Sequence, residues 1–427
     1  MKILVTGSGG REHALAWKAL NSDGVEKVYV APGNAGTAIE DGIENVDIDV
    51  MDFDAQIKFA RDNDIHLTIV GPEAPLVGGV VDAFQEEGLR IFGPAGKAAQ
   101  LEGSKQFTKD FLARHGIPTA KYQGFTDAET ARSWIKDQTF PLVLKADGLA
   151  AGKGVVIAEN YLEACNTLDD MLGGNMFGKA GSRVVIEEFL QGEEASFIVI
   201  SDGTHVIPFA SSQDHKAVYD GDKGPNTGGM GAYSPAPVIT GDMHRKIMEE
   251  VILPTIKGMA DEGNKYTGFL YAGLMITPEG IPKVIEFNCR HGDPETQPIM
   301  FRLKSDLVRL CNAAIDERLD QETIEFDERV ALCVVMAAGG YPGDYKKGEE
   351  INGLDQICGD DCKVFHAGTR LDRERILTNG GRVLGVTAMG SDVSDAQRKA
   401  YELVRKISWN KVYYRTDIGY RAIGRKA

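Results

Sequence analysis

Over the first hundred residues, short apolar runs alternate with stretches of helical spacing. The runs at 3–5, 27–30, 46–49, 67–70 and 90–92 read as strands, and residues 12–21, 53–62 and 77–88 carry apolar positions at helical intervals. This alternation predicts a doubly wound parallel sheet. Ligands bind such sheets at the carboxyl ends of the strands. Here those ends carry Gly7-Ser8-Gly9-Gly10-Arg11-Glu12-His13, Pro32-Gly33-Asn34-Ala35-Gly36 and Gly71-Pro72-Glu73-Ala74-Pro75.

The pattern changes after a helix predicted over residues 104–115. Apolar strands at 142–145 and 155–157 flank a glycine-rich loop with Gly148, Gly152, Lys153 and Gly154. The loop is not a Walker A sequence. Its glycine-to-glycine-lysine spacing is one residue short, and Gly154 stands where Ser or Thr would hold a metal. It reads as a hairpin flap closing over phosphates, with Lys145 on the strand itself. Residues 183–197 read as strand, turn, strand and carry Glu187, Glu188, Glu193 and Glu194. These glutamates are either surface charge or part of a pocket in which backbone near Glu188 and Leu190 reads an adenine edge and Glu194 accepts from a ribose. Residues 221–235 form a long glycine-rich loop, of a length that is functional or disordered inside a compact domain. Strands at 329–337, 363–366 and 382–388, and a helix over 393–407, predict a small α+β domain with a mixed or antiparallel sheet. No repeat, coiled coil or low-complexity segment stands out.

Composition narrows the function classes. The 427 residues suit two to four domains, and 43% hydrophobic with 26% charged residues is ordinary for a soluble globular chain. A net charge of -16 argues against nucleic acid and anionic membranes as partners. Of six cysteines, only Cys358 and Cys362 are close, with no second pair to complete a zinc site, so reduced thiols are expected. The chain opens directly on a strand, without a signal-peptide pattern or a membrane-spanning run, and a cytoplasmic location is expected.

The densest chemistry lies at 284–297, Val-Ile-Glu-Phe-Asn-Cys-Arg-His-Gly-Asp-Pro-Glu-Thr-Gln. On a strand, Glu286 and Asn288 face one side. Two protein oxygens, completed by phosphate and water, suit Mg²⁺ or Mn²⁺ at a nucleotide. Arg290 falls next on that face if the strand continues, and suits a carboxylate substrate. A dinucleotide site is disfavoured, because Glu12 occupies the third-glycine position of G-x-G-x-x-G and strand 2 ends without an acidic residue. A phosphate held by loop amides at the following helix fits better.

Seven segments in order carry a resemblance: residues 7–13, 71–76, 145–154, 213–216, 224–235, 292–297 and 415–421. With them the chain resembles the phosphoribosylamine–glycine ligase family of the ATP-grasp superfamily. The resemblance implies a Rossmann- or flavodoxin-like N-terminal domain (1–103), an ATP-grasp domain (104–320, with a flap at about 120–190) and a C-terminal domain (326–427). It also implies ATP-dependent joining of glycine to 5-phosphoribosylamine through a glycyl phosphate, in purine synthesis, by a monomer. ATP would be held by Lys105, Lys145, Gly152, Lys153, Gly154, Glu187, Glu188, Leu190 and Glu194, and the metal by Glu286 and Asn288. Lys145 and Arg290 would act in catalysis, Arg290 on the glycine carboxylate. Gly9, Gly10, Asn34, Glu73, Asp214 and Asn226 would contact phosphoribosylamine and glycine. His291 departs from the family, which usually has Phe there. It is either a ring-for-ring replacement or a group titrating near neutrality beside the site. Other readings are a different ATP-grasp ligase or carboxylase, or a nucleotide sensor. A sensor would be expected to have lost the lysines or the metal ligands, and all are present.

Overall fold

The computed structural model describes residues 1–149, 154–173, 183–356 and 359–425. Gly152 and Lys153 of the expected phosphate loop lie outside the described residues.

The first sheet is parallel, in the order β3-β2-β1-β4-β5, with β1 Lys2–Gly7, β2 Lys27–Pro32, β3 Ile43–Asn45, β4 Leu67–Val70 and β5 Ile91–Phe92. Strand β1 is central and buried on both faces, which is why it reads as an unbroken apolar run. Chain order reverses around it, so its carboxyl end meets those of β2 and β4. Gly33 donates to the Gly7 carbonyl and Gly71 to that of Thr6. The three glycine-bearing loops therefore meet at one edge, beside helices α1 (Gly10–Leu20), α2 (Ala35–Ile39) and α4 (Glu73–Val77).

Two departures from the expected elements occur here. The third strand is Ile43–Asn45 rather than 46–49. Val46 makes one more bond, to the Val30 carbonyl, but β2 then reaches Pro32, which has no N–H to continue the ladder. The single helix expected over 77–88 is two, α4 and α5 (Val80–Glu86), parted at Gly79, whose φ is +89°. Helix α3 (Phe53–Asp62) forms where expected, capped by Asp52.

Two antiparallel four-stranded sheets follow. The flap sheet runs β6-β9-β7-β8, with β6 Tyr122–Phe125, β7 Leu142–Ala146, β8 Val155–Ala158 and β9 Val184–Glu188. It has its own small core, in which Phe125, Leu142, Leu144 and Ile186 pack on two helices through Ile135 and Leu168. The body sheet runs β11-β10-β16-β17, with β10 Glu193–Asp202, β11 Val206–Pro208, β16 Thr267–Ile276 and β17 Pro282–Asn288. Its two faces share cores with the first sheet's elements, through Phe84 and Phe197 in one and Ile3 and Phe269 in the other. Strands β9 and β10 thus belong to different sheets, and residues 189–192 cross between flap and body rather than closing a hairpin.

The last sheet is antiparallel, β12-β15-β18-β22-β19. Strands β18 Val330–Ala337, β19 Cys362–His366 and β22 Arg382–Gly390 come from the C-terminal region, while β12 Gln213–Asp214 and β15 Gly231–Ser234 come from the middle of the chain. The segment at 221–235 is accordingly more structured than a loop. It contains β14 (Lys223–Asn226), paired with β13 (Ala217–Tyr219), and then β15.

Candidate active site

The first loops are filled from within. Glu12, at the place of a third glycine, accepts from the Gly9 N–H at 2.6 Å and from Arg11 Nε at 2.5 Å. A Cβ on Gly7 or Gly71 would lie 2.2 or 2.3 Å from Glu12 atoms, so this side chain is what those glycines make room for. The Gly9 amide expected to cradle phosphate is thereby committed to Glu12. Gly10 packs on Gln297, whose amide lies 2.6 Å from where a Cβ would stand. Asn34 is also committed. It caps α2 by accepting from Gly36 and Thr37, and its amide donates to the carbonyls of Ser8 (2.9 Å) and His366 (2.8 Å). It is a hub joining two loops to β19 rather than an open ligand group.

The flap and body sheets face each other across charged residues. Lys145 on β7 forms an ion pair with Glu187 on β9 at 2.9 Å and donates to the Ile285 carbonyl at 3.1 Å. Ile285 is the extra residue of a β-bulge in β17, between Val284 and Glu286. The other Glu187 oxygen pairs with Lys109 at 2.8 Å. Glu187, expected to help hold the nucleoside, thus presents its carboxylate between two buried ammoniums. Burial lowers Lys109 to about 8 against the pull of Glu187. Glu188, one residue on, faces the other way and pairs with Lys283 at 3.3 Å. Leu190 lies in the crossing between the sheets. Lys105 donates to the Gly148 carbonyl at 2.9 Å, at the root of the glycine-rich loop.

Glu286 and Asn288 end β17 on one face, as their spacing requires. Burial in the cleft pushes the Glu286 carboxyl up, but Lys216, Lys145, Lys105 and Arg290 outweigh it and hold the group below its usual range. Lys216 pairs with Glu194 at 3.0 Å and approaches Glu286 at 3.9 Å. Asp214 is buried nearby. Burial, helped by Glu295, Glu194 and Glu286 and opposed by Lys216, pushes it up to about 7. Asn226 is exposed on β14, opposite Ala217, and Thr227 donates to the Lys216 carbonyl at 2.8 Å.

Arg290 lies beyond the strand, which stops at Asn288. Instead of continuing that face it turns to the first domain's loops, donating to Glu73 (3.2 Å), Glu102 (2.8 Å) and the His291 carbonyl (3.1 Å). Arg11 donates to the same carbonyl at 3.3 Å. Burial raises Glu73, but Arg290 and Arg11 bring it to about 2. The His291 ring is buried against Phe269 and Phe209, with centroids 4.3 and 5.3 Å away, and neither ring nitrogen has a hydrogen-bond partner among the described residues. Burial, with Arg11 and Arg290 nearby, lowers it to about 3, so it is a neutral ring near pH 7.

Three family models match the chain in order. The phosphoribosylglycinamide synthetase N domain covers residues 1–102, its ATP-grasp (A) domain 103–296, and its C domain 331–421. The chain belongs to the phosphoribosylglycinamide synthetase family. Similar curated members are named phosphoribosylamine–glycine ligase. That of Escherichia coli strain K12 is 64% identical over 429 residues, covering 100% of both chains. That of Vibrio parahaemolyticus is 63% identical over 426 residues, covering 100% of this chain and 99% of the relative. The solved phosphoribosylamine–glycine ligase of Thermotoga maritima is 34% identical, with a TM-score of 0.85, over 98% of this chain and 100% of that one. Biotin carboxylase of Campylobacter jejuni shares the fold alone, at 16% identity and a TM-score of 0.74, over 98% of each chain.

Within this family fold, several charged residues that sequence reasoning passed over line the same region: Arg11, Glu102, Lys109 and Lys216. Two had signals. Lys109 follows Lys105 by one helical turn and so shares its face. Lys216 stands in the 213–216 segment, immediately before strand β13. Arg11 reaches the His291 carbonyl across 280 residues and Glu102 reaches Arg290 across 188, contacts that no local pattern reports.

Proposed function

We propose that this cleft uses ATP to join glycine to 5-phosphoribosylamine, giving glycinamide ribonucleotide, ADP and phosphate. A glycine carboxylate oxygen attacks the γ-phosphorus and ADP leaves. The amine then attacks the acyl carbon, and phosphate departs with the former carboxylate oxygen. Transfer of this kind depends on positioning and on neutralising charge, without a protein nucleophile. The observation that carries the reading is the cationic surround of the Glu286 carboxylate, which Lys216 approaches at 3.9 Å and which Lys145, Lys105 and Arg290 help to hold ionised.

Lys105 and Lys145 would take the phosphates, and the crossing at Glu188 and Leu190 the adenine. Arg290, although already bound to Glu73 and Glu102, keeps N–H groups for the glycine carboxylate. Gly152, Lys153 and Gly154 would close over the phosphates. Asp214 and Asn226 would face glycine and phosphoribosylamine, and Gly9, Gly10, Asn34 and Glu73 would shape the wall behind them. Glu286, ionised and half-exposed, and Asn288 fit Mg²⁺ or Mn²⁺. Bound there, the ion would neutralise phosphate charge. The same reading takes the enzyme as a cytoplasmic monomer; among the described residues no helix is long and apolar enough to cross a membrane.

Glycine labelled with ¹⁸O in its carboxylate tests the route. One labelled oxygen should appear in each phosphate released. Unlabelled phosphate would mean ATP is hydrolysed by water, and the acyl phosphate would have to be abandoned.

A further inference from the structure

Arg382 opens β22 in the last sheet, far in sequence from every segment discussed as a site. Its Nη1 donates to three backbone carbonyls, Gly228 at 2.6 Å, Gly229 at 3.3 Å and Asp293 at 2.5 Å. Its Nη2 donates to the Asp293 carboxylate at 3.1 Å. One guanidinium thus fixes the path of two chain segments, the turn between β14 and β15 and the stretch after β17.

The space is fitted closely. A Cβ on Gly228 would come within 3.0 Å of the Arg382 guanidinium carbon. Gly229 has φ +112°, and a Cβ there would meet Pro294 at 2.4 Å. Asp293 passes the constraint onward. It accepts from Gln297 at 2.9 Å, and its carboxylate lies 3.5 Å from where a Gly9 Cβ would stand. Gln297 fills the corresponding space at Gly10. A continuous set of contacts therefore runs from β22, through the Gly228–Gly229 turn and Asp293, to the start of α1.

An ordinary surface ion pair would join two side chains and leave the backbone alone. Here three of the four acceptors are backbone carbonyls gathered on Nη1, while Nη2 reaches the Asp293 carboxylate, and the planar fork of an arginine holds those two nitrogens in fixed geometry. Lysine carries its three N–H groups on one nitrogen at the end of a flexible stem and cannot hold both sets of acceptors at once. We infer that Arg382 is a positioning residue for the glycine and phosphoribosylamine half of the reaction, setting the Gly228–Gly229 turn and Asp293 against the first domain's loops while leaving the nucleotide cleft as it is. This rests on the reading that these loops surround the two small substrates.

Arg382→Ala and Arg382→Lys test it by separate KM values for the three substrates. Hydrogen bonds to a charged group are each worth enough that KM for glycine and phosphoribosylamine should rise roughly tenfold to hundredfold in both variants. KM for ATP should stay within about twofold of wild type. Added guanidinium should lower the raised KM values of Arg382→Ala, and equal urea should not. If Arg382→Ala fails to fold, Arg382→Lys, which keeps the charge and the stem, carries the comparison. Unchanged KM values with only a lower melting temperature would reduce Arg382 to a structural staple and overturn the inference. So would an equal rise in KM for ATP. Both results presuppose a wild type that requires all three substrates. A wild type that releases ADP without glycine or phosphoribosylamine overturns the reading of the site, and the assignment of Arg382 with it.

Discussion

Lys145 and Glu187 lie diagonally across two adjacent strands of the flap sheet, their charged atoms 2.9 Å apart and both side chains buried. Lys109 reaches the same carboxylate from helix α7 (Lys105–Arg114) at 2.8 Å. One carboxylate balances two ammoniums, so its removal leaves two buried charges uncompensated. Glu187→Ala should therefore destabilise the protein by about 3–5 kcal/mol. Urea unfolding measures this. A loss below about 1 kcal/mol, the size of an exposed pair, would show that the triad is not structural.

Arg415 is fully buried and ties the C-terminal segment to the β13–β14 hairpin. It donates to the Ala217 carbonyl (3.1 Å), Asp222 (2.9 Å) and Asp417 (2.7 Å). Arg415→Met should cost about 1–3 kcal/mol and expose residues 217–226 to protease, since the Ala217 carbonyl, Asp222 and Asp417 each lose one partner. Limited proteolysis with mass spectrometry would locate the cut. Wild-type resistance in that hairpin would contradict the assignment.

His291 provides a pH test with a definite sign. Its folded pKa lies at about 3, against an ordinary 6.5. Between those values the unfolded chain binds a proton that the fold excludes, so this group's contribution to stability is present above pH 6.5 and is lost as pH falls. His291→Phe removes that loss. The difference in unfolding free energy between about pH 8 and pH 5 should shrink by about 2 kcal/mol. At pH near 8 the variant should also be more stable by about 1–3 kcal/mol, because two buried ring nitrogens without partners are gone. Its activity there should match wild type. Equal pH slopes for the two proteins would show that the ring is not excluded from protonation. The aromatic packing of His291 favours a ring-for-ring replacement of Phe over a group that titrates near neutrality.

Glu286→Ala tests the proposed metal site. Turnover should fall by at least about a hundredfold while circular dichroism stays native, since the side chain is half-exposed and its loss opens no core cavity. Full activity would remove Glu286 from the metal assignment.

Much of this fold was legible because its signals are local. The uninterrupted apolar run of β1 and the cap-to-cap periodicity of α3 needed no partner to be recognised. Glu286 and Asn288 were readable for the same reason, since a period of two puts them on one face. The misreadings share a different cause. Residues 46–49 alternate as a strand should, but pairing depends on β2, which ends at Pro32. The ion pairs of Glu187 were not legible because neither of its lysines lies near it in sequence. Arg290 would share the face of Glu286 only if the strand continued, and Glu73 and Glu102, from far earlier in the chain, set where it turns instead. Likewise β12 and β15 join a sheet whose remaining strands begin about a hundred residues later, and Arg382 acts through that crossing.

The most direct test of the central claim is ADP release with Mg-ATP, glycine and phosphoribosylamine generated in the cuvette from ribose 5-phosphate and ammonia, each omitted in turn. The expected result is ADP only when all three are present. Release that persists without glycine or without phosphoribosylamine, or no release while ATP still binds, would contradict the ligase reading of this cleft.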